Sequence, residues 1–325
     1  METVLVTGGA GFIGSHVCER LLHDGHQVVC VDDFNDYYDQ AAKERNVSLF
    51  AGNKAFSLHR EDIRDRKAMD AVMRKHACTR IIHLAARAGV RPSLDNPALY
   101  ADVNINGTLN LLELAKAYKV KGVVSASSSS VYGLTERIPF SEDDDVNCQI
   151  SPYGVSKRAG ELYCHAYHEL YGIPITCLRF FTVYGPRGRP DMAPYKFTKL
   201  IDEGKPIEMF GDGASRRDYT YIADIVDGII AAMDKSCPFE IINLGNSNPI
   251  SLKEFIAIIE NKLGKKAAIR RLPPQPGDLP ETYADVRKAE RLLNFRPKVS
   301  VKEGMGRFID WYLEQGDAGR QAMRR

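Results

Sequence analysis

The stretch from Thr3 to Asp32 leaves this chain few folds to choose from. An apolar strand, Thr3–Val6, runs directly into Thr7-Gly8-Gly9-Ala10-Gly11-Phe12-Ile13-Gly14-Ser15. Helical periodicity follows through Leu22, Gly25 interrupts it, and a second apolar strand covers Gln27–Val31. Strand, glycine turn, helix and strand satisfy both Gly9-x-Gly11-x-x-Gly14 and the wider Gly8-x-x-Gly11-x-x-Gly14. Glycines let the backbone turn tightly and approach a pyrophosphate, which the helix N-terminus then stabilises. Asp32 ends the second strand, 18 residues past Gly14. A carboxylate there accepts from adenosine ribose hydroxyls and repels a 2′-phosphate. Asp32-Asp33 with no Arg alongside therefore points to NAD rather than NADP.

Strands and helices go on alternating. Phe56–His59 reads as a third strand, followed by Asp62, which either caps the next helix, sits beside the adenine, or does both. Arg80–Leu84 reads as a buried fourth strand ending in Ala85-Ala86, small residues that suit packing against a cofactor. In the loop that follows, Arg87 and Arg91 either reach an anionic ligand or stay solvated. A long helix is expected from Asn96-Pro97 to about Tyr118 with Asn104 inside it, then a strand over Val120–Ser125, a helix to about Tyr171, and a strand over Ile173–Phe180. This alternation predicts an α/β fold, a Rossmann-type doubly wound parallel sheet, with a smaller C-terminal α/β substrate region. In such sheets ligands sit beyond the carboxyl ends of the strands. The glycine turn, Ala85-Ala86, the serines and Phe181-Thr182 all occupy such ends.

Ser127 to Ser130 follow the apolar run, and Tyr153 and Lys157 stand four apart at the start of the next helix. That spacing puts both on one helical face. A phenol is a poor base at neutral pH; a nearby ammonium favours the phenolate and lowers its pKa. Tyr, Lys and a serine hydroxyl make an acid/base device for an alcohol. Alone, the pair is common by chance and fits an ordinary amphipathic helix; the glycine turn upstream supplies the hydride acceptor that gives it a use.

The pattern loosens after Thr182. Gly185 to Pro194 is a turn-rich loop, Ile207–Phe210 reads as a strand and Ala223–Met233 as a helix. Arginines at 187, 189 and 217 suit a diphosphate or a carboxylate, or form charged surface. The expected division is residues 1–182 for NAD, with about 221–248 returning to that unit, 183–315 mainly for the substrate, and a flexible tail over 316–325. The 44 basic and 42 acidic residues leave a net charge of +2, which gives no reason to expect nucleic acid or a membrane as partner. Seven cysteines lack any Cys-x-x-Cys spacing, so free thiols in a reducing cytoplasm are expected, with no metal site.

These residues, in this order, resemble the extended short-chain dehydrogenase/reductase family, in its nucleotide-sugar branch. The likeness runs from Thr7-Gly8 to Asp278, and within the branch it is strongest to the 4-epimerases of UDP-glucuronate. The stretches that carry it are Asp33 to Asp39, Ala88-Gly89-Val90-Arg91, Arg179 to Pro186 and, most specifically, Gly188-Arg189-Pro190-Asp191-Met192-Ala193. The chain departs from that pattern at Arg187, where a Trp is usual, and at Arg87, where Gln is frequent. The resemblance implies that Tyr153 is the base, that Lys157 binds the nicotinamide ribose and depresses the Tyr153 pKa, and that Ser128 bridges the sugar hydroxyl to Tyr153. It implies an NAD site of Gly8, Gly11, Phe12, Ile13, Gly14, Asp32, Asn35, Asp62, Ile63, Leu84, Ala85, Ala86 and Asn104, together with Tyr153 and Lys157. Thr182 and Arg189 would line the sugar and its carboxylate, with Arg87, Ser129 and Ser130 nearby. Arg217 and Asp278 would hold the UDP diphosphate and ribose, and Met192 and Phe210 would border the nucleotide.

One triplet discriminates within the branch. Related dehydratases carry Thr-Asp-Glu before Val-Tyr-Gly and related decarboxylases carry Thr-Ser-Glu; this chain has Ser128-Ser129-Ser130. Elimination needs a carboxylic acid that three hydroxyls cannot supply, whereas hydroxyls can hold a substrate carboxylate without repelling it. The expected reaction is therefore 4-epimerisation of UDP-glucuronate through a transient 4-keto sugar, with NAD retained. A UDP-glucose/UDP-galactose 4-epimerase is the alternative; a decarboxylase or a non-catalytic NAD-binding protein follows behind. The resemblance also implies a homodimer joined through a four-helix bundle.

Overall fold

The computed structural model describes residues 1–135, 137–273 and 280–315. Seven strands form one sheet: β1 (Thr3–Thr7), β2 (Gln27–Val31), β3 (Phe56–His59), β4 (Arg80–His83), β5 (Val123–Ser128), β6 (Ile175–Phe180) and β7 (Phe239–Leu244). Their order is β7-β6-β5-β4-β1-β2-β3, and every pairing is parallel. The sequence reverses direction across the sheet at β1 and β4, the crevice in which doubly wound sheets take ligands.

The side-chain period of two sorts β1 between two cores. Val4 and Val6 pack with Val17 and Leu21 of the helix Phe12–His23 and with Ile225 and Ile229 of the helix Ile222–Lys235. Leu5 faces the other way, toward Met69 and Met73, Leu111 and Leu112, and Cys164, from three helices on the opposite face. Both faces are covered, which explains the nearly continuous apolar strands.

The expected elements are present, with local shifts. β5 starts at Val123 and runs to Ser128, so Ser127 and Ser128 belong to the strand, and Ser129–Tyr132 form a 3₁₀ turn. β6 starts at Ile175, the expected helix over 223–233 extends over Ile222–Lys235, and β7 returns the chain to the sheet. Asp65, not Asp62, caps the helix Arg66–His76, accepting from Lys67 N and Ala68 N. Asp62 instead accepts from the backbone and guanidinium of Arg64. The long helix expected after Asn96 is interrupted by a π turn at Asp102–Asn106 between Pro97–Ala101 and Gly107–Ala117.

Beyond Thr182 the strands are short. Thr182–Tyr184 pairs with Tyr219–Tyr221, Ile207–Phe210 with Ile269–Leu272, and Arg216–Arg217 lies between Ile250–Ser251 and Glu281–Thr282. Helices Ala193–Asp202, Leu252–Leu263 and Val301–Glu314 cover this part. Among the described residues no helix is long and apolar enough to cross a membrane. Asp278 and the tail from 316 lie outside the described residues.

Candidate active site

One cavity of about 520 Å³ opens at the carboxyl ends of β1, β2, β4, β5 and β6. Its floor is the glycine turn. Gly8 has φ +71°, and a Cβ there would stand 2.7 Å from the Ala85 nitrogen; one on Gly14 would stand 2.1 Å from the Gly8 carbonyl oxygen. Only glycine fits either position, so the turn lies flat against Leu84-Ala85, just past β4, and the following helix starts at once. That helix, Phe12–His23, has Gly11 at its N-cap and no side-chain acceptor there. Its first amides and the positive end of its dipole are left for an anion.

At the end of β2, Asp32 is buried. Its carboxylate accepts from Ala10 N at 3.2 Å, Phe34 N at 2.9 Å and Lys43 Nζ at 3.0 Å. Lys43, also buried, stands 3.8 Å from Asp33 as well. No Arg flanks Asp32 in sequence, yet the fold brings it a cation from eleven residues away. Asn35, Asp62 and Ile63 continue this wall, and Phe12, Ile13, Leu84, Ala85 and Ala86 the next. A narrow glycine cradle, an uncapped helix N-terminus and a buried carboxylate at the second strand fit a dinucleotide such as NAD.

Asn104 stands behind this wall rather than on it. Its amide donates to the Arg87 carbonyl and the Ser156 hydroxyl, each at 2.9 Å, and its carbonyl accepts from Arg87 N at 2.8 Å. The π turn carries a residue that staples the loop after β4 to the helix Pro152–Tyr171. Below, His83 bridges Thr7 and Thr108 and is pushed down to about pKa 3 by burial and then by Lys157, so it stays neutral.

Tyr153, Lys157 and Ser128 line the same cavity, with the Ser128 hydroxyl hydrogen-bonded to the Tyr153 phenol. Ser151 caps their helix by accepting from Gly154 N, with Pro152 in the first turn, which fixes where Tyr153 projects. The electrostatics differ from the sequence expectation. Lys157 Nζ donates to the Ala126 carbonyl at 2.8 Å, and burial pushes its pKa down to about 8. The Tyr153 phenol is raised, because burial outweighs the Ser128 hydroxyl and the Arg189 charge, the two groups that pull it down. Arg189 is a cation that pulls the Tyr153 phenol down.

Ser129, Ser130, Thr182, Arg87, Arg189 and Met192 complete the wall, with Tyr37 and Asp191 beside them. Ser128 Oγ donates to Ser130 Oγ at 3.2 Å and accepts from Ser130 N at 3.1 Å. Arg187 does not join them. It donates to Nδ1 of His16 at 2.7 Å and pairs with Glu19, tying the loop to the helix Phe12–His23. Phe210 lies off the wall with Arg91 over its ring, and Arg217 also lies off it, donating to the Arg216 carbonyl at 2.9 Å. Behind the centre is a cluster that sequence reasoning missed. Glu161 accepts from Arg179 through both oxygens, at 2.8 and 2.9 Å, from Ser127 at 2.6 Å and from Arg158 at 3.0 Å.

The parallel sheet, the glycine cradle and the Ser–Tyr–Lys centre together define a dinucleotide-dependent enzyme acting on an alcohol. The chain belongs to the NAD dependent epimerase/dehydratase family, whose model matches residues 4–245. It is 47% identical over 315 residues to UDP-glucuronate 4-epimerase of Thermodesulfobacterium geofontis, covering 97% of each chain. Its structure matches UDP-glucuronic acid 4-epimerase from Bacillus cereus, solved with UDP-glucuronic acid and NAD, at TM-score 0.90 and 39% identity, covering 96% of this chain and 99% of that one. UDP-glucose 4-epimerase from Thermotoga maritima, solved with UDP-glucose, matches at TM-score 0.88 and 31% identity over 96% and 99% of the two chains.

Proposed function

We propose that the chain is an NAD-dependent 4-epimerase of UDP-sugars that interconverts UDP-glucuronate and UDP-galacturonate. The observation that carries the choice of substrate is the cavity wall made by Ser128, Ser129, Ser130 and Thr182 beside Arg189. The triplet brings hydroxyls and no carboxylate where elimination would need one. The close relatives named for the same reaction support this reading.

NAD, when bound in the glycine cradle, supplies reversible acceptance of a hydride from sugar carbon 4. Gly8, Gly11 and Gly14 with the helix N-terminus would hold its pyrophosphate, and Asp32 with Lys43 its adenosine ribose. Tyr153 takes the proton of the 4-hydroxyl through Ser128 and returns it after the sugar has presented its other face. Arg189 favours the phenolate in that step. Lys157, whose Nζ donates to the Ala126 carbonyl, would bind the nicotinamide ribose. The oxidised acid sugar is a β-keto acid prone to lose carbon dioxide. Ser129, Ser130, Thr182 and Arg189 hold its carboxylate in an orientation that disfavours this loss.

In this reading residues 1–182 with about 221–248 carry the cofactor and the rest of 183–315 the UDP-sugar. The exposed Val155, Leu162 and Leu170 on the helix Pro152–Tyr171 support pairing with a second copy as a four-helix bundle. Free cysteines without disulfides support a cytoplasmic enzyme. Incubation with UDP-glucuronate, UDP-glucose and UDP-xylose without added NAD, followed by chromatography, is the test. UDP-galacturonate as the main product is expected. A UDP-pentose as main product, or conversion of UDP-glucose alone, would overturn the assignment.

A further inference from the structure

Arg189 reaches the cavity from the loop after Gly185 and is met there by a near neighbour in its own chain. Its Nε donates to Asp191 Oδ1 at 3.0 Å, and a terminal nitrogen donates to Asp191 Oδ2 at 2.6 Å. The same nitrogen donates to the Tyr37 hydroxyl at 3.1 Å, and the guanidinium carbon lies 5.1 Å from the centre of the Tyr37 ring. This side-on, two-point grip is the one a guanidinium offers to any carboxylate.

The two partners are not equally fixed. The Arg189 side chain is 19% exposed and sits against Tyr37, whereas Asp191 is 47% exposed. The guanidinium is therefore the stationary member, and the carboxylate is the one that can rotate into water. Both line the cavity that holds Ser129, Ser130 and Thr182. A largely buried guanidinium with no anion would be costly, so something must neutralise Arg189 whenever no acidic ligand is present.

We propose that Asp191 is an internal counter-anion occupying the place of the sugar carboxylate on Arg189, and that its displacement sets the discrimination between acidic and neutral UDP-sugars. The inference rests on the epimerase reading above. An acidic sugar takes over the two-point grip, and Asp191 turns out to solvent. A neutral sugar has nothing to offer Arg189 and leaves Asp191 where it is. Asp191 thus keeps the ligand-free site neutral and weakens binding of the acid by competing with it.

The test measures affinity by titration calorimetry for UDP-glucuronate, UDP-glucose and UDP on the protein as purified and on two variants. Asp191→Asn keeps the shape and removes the charge; it should bind UDP-glucuronate on the order of fivefold tighter, the scale of a partly exposed ion pair. UDP-glucose and UDP should bind as before, and Asp191→Glu should behave like the unmodified protein. Unchanged or weaker binding of UDP-glucuronate by Asp191→Asn would overturn the proposal. So would an equal gain for UDP-glucose or UDP, which would assign Arg189 to the diphosphate. If the unmodified protein binds no UDP-glucuronate, the epimerase reading itself fails; if it binds and only the variant's response is absent, the counter-anion alone is rejected.

Discussion

Two arginine–carboxylate pairs flank the proposed catalytic centre with the same two-point geometry and opposite accessibility. Arg179 and Glu161 lie behind it, each 1% exposed; Arg189 and Asp191 lie at its mouth, 19% and 47% exposed. The inner carboxylate is also filled by Ser127 and Arg158, and the Arg179 guanidinium lies over the Tyr132 ring. Groups from β5, β6 and the helix Pro152–Tyr171 thus converge on one carboxylate. Glu161 stands one turn beyond Lys157, and Ser127 immediately precedes Ser128. The inner pair therefore fixes the distance between the helix that carries Tyr153 and Lys157 and the strand that carries Ser128. A carboxylate surrounded on every side is a frame, and one with an edge open to water can be exchanged for a ligand.

Breaking the inner pair should have the largest effect. Glu161→Ala leaves Arg179 charged, buried and unpaired, which costs about 3–5 kcal/mol of stability. Chemical denaturation of the variant measures it. Replacing both members by Met removes the stranded charge and should recover most of the loss, because well-packed apolar substitutes often match a buried ion pair. A cost below about 1 kcal/mol for Glu161→Ala, the range of exposed pairs, would erase the contrast between the inner and outer sites.

Lys157 sharpens the contrast from the opposite side, since it is a buried cation whose hydrogen-bond partner is a carbonyl and not a carboxylate. Burial lowers its pKa from 10.5 to about 8. Between those values the unfolded chain binds more protons than the folded one, so folding stability rises with pH through this window. Below pH 8 the whole penalty is present, roughly 3 kcal/mol. Lys157→Met should therefore be more stable than the parent near pH 7 in nucleotide-free protein, with the advantage vanishing as pH approaches 10.5, while epimerisation is lost. Thermal melts of both proteins across pH 7 to 10.5 test the sign; a pH-independent difference would remove burial of charge as its cause.

The sheet was legible because its signals are local: a period of two, glycine punctuation, and helices between strands. Boundaries slipped where an apolar residue is buried without being in a strand, as at Val120. Asp62 and Asp65 look alike in sequence, but only Asp65 has the second and third helical amides within reach. Site residues at strand ends could be read in the same way, and nearly all of them share one cavity. Pairings across the fold could not. Glu161 and Arg179 sit on a helix and a strand, and Lys43 reaches Asp32 from a helix outside the glycine motif. The expected action of Lys157 on Tyr153 followed from spacing and from the family likeness. Spacing gives the shared face but neither the direction of the ammonium nor the degree of burial, and burial decides the phenol's pKa.

The smallest effect on folding, and the most selective on catalysis, should come from the outer pair. Arg189→Ala removes the guanidinium but leaves Asp191 free to hydrate, since its carboxylate is already half in water. Stability should change by less than about 1 kcal/mol. Catalysis should not be spared in the same way. Losing a two-point grip on the substrate carboxylate costs about 2–3 kcal/mol, a fall of roughly 100-fold in kcat/KM for UDP-glucuronate. Residual turnover of UDP-glucose, which has no carboxylate to lose, should stay near the parent level apart from the weaker effect of Arg189 on the Tyr153 phenol. Steady-state kinetics on both sugars beside a melting curve separate the cases. A parallel fall for both substrates would mean that Arg189 serves the diphosphate or Tyr153 rather than the carboxylate. A large loss of stability would mean that the outer pair, like the inner one, is part of the frame.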